Sequence, residues 1–124
     1  MDFVALLGRA ALSAIFIWSG FGKLMAPLAT INGFARWFGA PLNGAAYVVA
    51  VVVEIVGGVA LLAGVRPRGA ALVLAIWCIA TALVAHRNWG DHAQLINFMK
   101  NIAMFGGLLQ VFVFGAGRYA FHQR

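Results

Sequence analysis

Four long apolar runs divide the chain, at about residues 3–22, 42–65, 70–85 and 95–114, with short polar breaks between them. A membrane-spanning helix needs roughly 20 mostly apolar residues at about 1.5 Å rise each, so each run is read as a span. The break at 23–44 differs from the other two. Pro27 and Pro41 bracket it, and Phe34, Trp37 and Phe38 fall on one side of a short helical repeat, with Arg36 left to the polar side. Such a segment lies in the membrane interface, where aromatic rings are favoured, or it covers a site at that end of the bundle. The expectation is an all-α membrane protein. Its architecture is an antiparallel four-transmembrane-helix bundle in one domain, 1–124, with an interfacial amphipathic segment between spans one and two.

Polar positions inside the runs are few and patterned. In span one, Arg9, Ser13, Phe16, Gly20 and Lys23 recur at spacings of three and four and share one helical face. Arg9 interrupts the run and no small-residue cleavage site follows, which argues for a retained helix over a signal peptide. In span two, Glu54 is the only acidic residue within any apolar run, and Ala50, Gly57, Gly58 and Leu61 share its face. A carboxylate at that depth costs on the order of 2.5–3.5 kcal/mol unless it is paired, neutralised or wetted. The small residues there, with Gly64 and the Gly106-Gly107 pair of span four, let neighbouring helices approach closely. Span three carries Trp77 and Cys78 at its middle and closes on His86. Span four opens with Gln94, Asn97 and Asn101 on one face and Lys100 beside it.

Composition sharpens the class. Hydrophobic residues make up 64% and charged residues 10%, against about 45–50% and 25% in soluble proteins, so the exterior must face lipid. The net charge of +6 would suggest nucleic acid in a soluble chain, but the basic residues are spread over breaks and helix ends. They read as topology signals and headgroup contacts, with no nucleic acid as partner. The short basic turn at Arg66 and Arg68 and the basic tail place both termini in the cytoplasm. Cys78 is the single cysteine, which excludes an intrachain disulfide and a CxxC pair. His86, His92 and His122 form no ligand pair on one helix, so no metal or haem site is expected. There is no dinucleotide fingerprint, P-loop or GxSxG.

Folding the spans into an antiparallel bundle gathers Lys23, Glu54, His86, Asn97, Lys100 and Asn101 in the half of the membrane opposite the termini, leaving Arg9 alone in the other half. Two readings follow. In one, Glu54 pairs with Lys23 or Lys100 and the network fixes helix register. Arg9 and Lys23 can equally snorkel to headgroups. In the other, the same groups line a polar pocket for a lipid headgroup, a quinone or a small polar substrate. Glu54 and His86 then handle protons, and Lys23, Asn97, Lys100, Asn101 and Arg9 contact the ligand.

The pieces in order resemble the DoxX family of small bacterial membrane proteins. They are Gly8-Arg9 with IFIWSGFGK at 15–23, Pro27, the Glu54-Ile-Val-Gly-Gly stretch with LLAG before Arg66, His86, Lys100-Asn101 and Gly106-Gly107. The resemblance implies a bacterial inner-membrane location and an oxidoreductase label tied to thiosulfate:quinone chemistry and thiol stress. It carries over Arg9, Lys23, Glu54, His86, Lys100 and Asn101 as the polar positions. It adds no intrinsic redox group, so a bound quinone or a redox partner protein would carry any electrons. The alternatives are a non-catalytic membrane subunit that docks a partner or a second copy of itself, and a small transporter. Against the transporter stands the lack of an internal repeat or broken-helix pair.

Overall fold

The computed structural model describes residues 1–39, 42–85 and 90–119, and these form five helices. They are α1 Asp2–Met25, α2 Pro27–Phe38, α3 Leu42–Ala63, α4 Pro67–Ala85 and α5 His92–Phe114. Four of them (α1, α3, α4 over Pro67–Val84, and α5) are long and apolar enough to cross a membrane. These are the four expected spans, with α1, α4 and α5 each starting or ending a few residues beyond the apolar runs. No strand occurs among the described residues.

The breaks follow from local backbone chemistry. Ala26, ahead of Pro27, leaves helical geometry at φ −135°, because the proline ring crowds the residue before it. Pro27 itself suits the first turn of α2, where its missing N–H costs nothing. Gly64 ends α3 at φ 75°. Its N–H donates to the Leu61 carbonyl and that of Val65 to Ala60, the paired closure that glycine allows at a helix end. Pro67 then starts α4 at once, so α3 and α4 form a tight antiparallel hairpin. Asp91 caps α5, accepting from the Ala93 N–H at 3.0 Å.

Packing runs in the order α1, α3, α4, α5, with α2 laid against α3. The two outer helices, α1 and α5, touch only over a short stretch. The buried positions of α1 are Arg9, Ser13, Phe16 and Gly20, and those of α3 are Ala50, Glu54, Gly58 and Leu61. Both sets match the faces expected from spacing. The helices cross closely because each offers a glycine to the other's isoleucine. A Cβ at Gly20 would come within 2.6 Å of Ile55, and one at Gly58 within 2.8 Å of Ile17. In lipid, where apolar burial drives little association, such contact is the main source of helix pairing. The core is Phe16, Leu61, Ala71, Leu74, Ala75, Cys78 and Leu108.

Arg9 does not snorkel. It is 2% exposed, and its guanidinium donates to the carbonyls of Leu62, Ala116 and Tyr119. The chain after α5 folds back to meet it, and Gly117 (φ 83°) lies against Ala5. Arg9 therefore clips the C-terminal segment to α1 and α3, and at Leu62 it satisfies a carbonyl that the end of α3 leaves open.

Three outcomes are expected. Gly20→Val and Gly58→Val each destabilise the bundle by about 1–3 kcal/mol in detergent unfolding, the cost of overpacking. Gly106→Ala, where no atom lies within 4 Å, is neutral or slightly stabilising. Arg9→Leu loosens the clip, and trypsin cleavage after Arg118 accelerates at least about tenfold, matching the loss of charge-assisted bonds.

Candidate functional site

Glu54 lies near the middle of α3, 12 residues after Leu42 and 9 before Ala63, so roughly 18 Å and 13 Å from its ends. Glu54 therefore sits at mid-span, slightly nearer the termini side, not in the opposite half where the sequence placed it. Its side chain is 6% exposed. Lys23, near the end of α1, reaches it because helical side chains lean toward the helix N-terminus. The ammonium turns back along α1, donates to Ser19 Oγ at 2.7 Å and meets Glu54 Oε1 at 2.9 Å and Oε2 at 3.2 Å. Trp77 Nε1 donates to Glu54 Oε2 at 2.9 Å. The carboxylate is thus held by one cation and one neutral donor from two different helices. These bonds compensate for burying its charge.

A second polar corner lies one turn further along α4. Asn101 Nδ2 donates to Thr81 Oγ1 at 3.0 Å and to the Cys78 carbonyl at 3.3 Å. The Thr81 hydroxyl donates in turn to the carbonyls of Trp77 at 2.9 Å and Cys78 at 3.2 Å. Both corners face one cavity of about 510 Å³, within the range of small-molecule sites. Its remaining wall is mostly apolar, including Ile15, Phe16, Ala46, Val84 and Met104. Phe34, Trp37 and Phe38 of α2 also line it. The Phe34 ring stands 6.0 Å from Trp37 and 6.1 Å from Phe38. Asn43 Nδ2 ties α2 down through the Ile31 carbonyl at 3.1 Å, and the Tyr47 hydroxyl donates to the Lys23 carbonyl at 3.1 Å. The aromatic face of α2 therefore covers the cavity, the second of the two roles open to it from sequence.

Of the residues singled out by sequence, the structure brings Lys23, Glu54 and Asn101 together around this cavity. It leaves others out. Lys100 is exposed on the outer side of α5, and Asn97 is half-buried without lining the cavity. Lys100 does not follow Asn101 inward because a helix turns about 100° per residue, while Asn97 shares the Asn101 face but lies one turn nearer the start of α5, outside the cavity wall. Arg9 is occupied with carbonyls at the other end of the bundle. Lys23, not Lys100, is the partner of Glu54. His86 lies outside the described residues.

Three members were not picked out. Ser19 stands off the main stripe of α1, yet it sits four residues before Lys23 and meets its ammonium. Thr81 was passed over inside an apolar run. Trp77 was readable from arithmetic: a hairpin turning tightly at 65–66 sets Gly57 opposite Leu74 and, one turn away, Glu54 opposite Trp77.

The chain is similar in sequence to known membrane proteins. A family model described as DoxX matches residues 4–87, covering α1 to α4 and stopping short of α5. The inner membrane protein YphA of Escherichia coli strain K12 is 32% identical over 124 residues, spanning 96% of this chain and 88% of that one. The inner membrane protein YqjF of the same organism is 30% identical over 119 residues, spanning 96% and 89%. No solved structure matches.

The ion pair supports a double-mutant cycle. Lys23→Met alone strands Glu54 and costs about 3–5 kcal/mol. Adding Glu54→Leu recovers most of that loss in the same unfolding measurement. Trp77→Phe removes one donor and costs about 1–3 kcal/mol.

Proposed function

The chain belongs to the DoxX family of integral membrane proteins, and we propose that it binds a lipid-soluble ligand with a hydrogen-bonding head, of the quinone type, in a bacterial inner membrane. Glu54 is the proton-handling group in this reading. Lys23 supplies positive charge to an oxygen of the head, and Asn101 contacts the head at the second polar corner. Trp77 holds Glu54 in place. Any electrons are carried by the ligand and a redox partner protein, while the chain contributes charge, protons and a dry wall.

One observation carries the reading. The Lys23–Glu54 pair opens onto a cavity with mostly apolar walls, where a pair serving only as a staple would be packed over. Charged hydrogen bonds in such surroundings are strong and directional, and an oxygen-bearing head competes for them without water. The names of YphA and YqjF as inner membrane proteins support the location.

A second reading keeps a specific support. The pair sits where α1 and α3 approach most closely, at Gly20, so the network also holds the bundle. If that is its whole role, the chain is a non-catalytic membrane subunit.

Gentle purification followed by mass spectrometry of extracted lipids separates the two. The expected result is a stoichiometric isoprenoid quinone on the wild type and its loss, by about tenfold or more, from a well-folded Glu54→Gln variant. Quinone on neither sample, with a variant that unfolds readily, leaves the scaffold reading standing.

A further inference from the structure

We infer that the cavity is filled sideways from the bilayer, through the slot between α1 and α5, by an amphiphile whose polar head reaches Lys23 and Glu54 while its apolar tail remains in the slot. This rests on reading the cavity as a ligand site, and it adds the ligand's class and its path.

The packing order leaves one seam unclosed. α1 and α3 are locked by Gly20 against Ile55 and Gly58 against Ile17. α3 and α4 are locked by Gly57 against Leu74 and by the bond from Trp77 to Glu54. Asn101 bonds to Thr81 and Cys78, joining α4 to α5 at the level of the cavity. The aromatic side chains of α2 stand over one end. Among the described residues, no glycine contact of this kind joins α1 to α5 at this level.

That seam does close lower down. Leu12 fits over Gly107, whose Cβ position lies 3.1 Å from the Leu12 side chain, and Gly117 meets Ala5. From there toward Lys23 the cavity is lined by residues of both helices. The facing residues on the two sides, Ile15 and Ser19 of α1 and Asn101 and Met104 of α5, are themselves cavity walls. Ile15 is 46% exposed. From Leu12 to Ser19 and from Gly107 to Asn101 the slot runs roughly 10 Å along the helices.

The chemistry of the slot is graded. Ile15 and Met104 line its outer part with carbon, while the Glu54 carboxylate, 6% exposed, stands further in beside Lys23 and Asn101. An apolar tail loses nothing on moving from lipid to such a slot, since hydrocarbon and side chains are equally apolar. The head alone changes surroundings, and it moves toward the one charged pair at that depth. A ligand without a tail gains the head contacts but none of the walls of the slot.

The test uses two probes on the full-length protein in nanodiscs: a benzoquinone ring without a tail, and the same ring with a decyl tail carrying a diazirine. Photolysis of the tailed probe should label peptides containing Ile15 and Met104. Ile15→Trp and Met104→Trp should weaken the tailed probe relative to the tailless ring by at least about tenfold. Val113→Trp, at an exposed position elsewhere on α5, serves as the bulk control. Labelling confined to α2, or tryptophan variants with an unchanged ratio, overturns the lateral path while leaving the site intact. If wild type and Glu54→Gln bind both probes equally weakly, the site itself is wrong, and the path falls with it.

Discussion

A carboxylate near the centre of a bilayer cannot stand alone, and the bundle is arranged to meet that constraint. Lys23 and Trp77 reach Glu54 from the two helices that flank it. The Trp77 contact requires α4 to approach α3, which Gly57 permits against Leu74, and the Lys23 contact requires α1 and α3 to approach closely, which Gly20 permits. A side chain there would collide with Ile55 and press on Glu54 itself, whose Cβ lies 3.1 Å from the position a Cβ at Gly20 would take. Close packing and charge compensation are therefore one arrangement. Glycine brings the backbones together, and the ion pair then sets their register.

The two ends of the bundle use their polar groups differently. At the end holding the termini, Arg9 spends its guanidinium on backbone carbonyls, and the outer helices meet through Leu12 and Gly107. There the bundle is closed. Beyond Phe16 the four helices and α2 line a cavity, and the polar groups there bond to their own neighbours, not across it. Asn101 turns to Thr81 and Cys78 instead of crossing to α1. The space left between them is the cavity.

Much of this was legible as pattern. The stripe Arg9, Ser13, Phe16, Gly20 and the set Ala50, Glu54, Gly58, Leu61 follow from helical period alone, and the structure buries both. Glycine and proline placed the breaks, since their backbone limits act without reference to the rest of the fold. Lone polar side chains were less legible. Lys100 and Asn101 are adjacent polar residues, yet one faces outward and the other inward. A difference of about 100° in helix rotation decides which, and α5 is too evenly apolar for its sequence to set that rotation.

Arg9 and Lys23 make the same point with charges. Either could have snorkelled to headgroups, and sequence spacing does not say what lies across from them. A folded-back C-terminal segment supplied carbonyls to Arg9, and α3 supplied a carboxylate to Lys23. Composition and period by themselves determined that the chain is a membrane bundle, where its helices begin and end, and that Glu54 needs a partner. Those properties depend on local geometry and on the cost of charge in hydrocarbon. Which partner it found, that Trp77 joined it, and that a cavity opens beside the pair were decided only by tertiary packing, because they depend on the rotation and spacing of helices far apart in the chain.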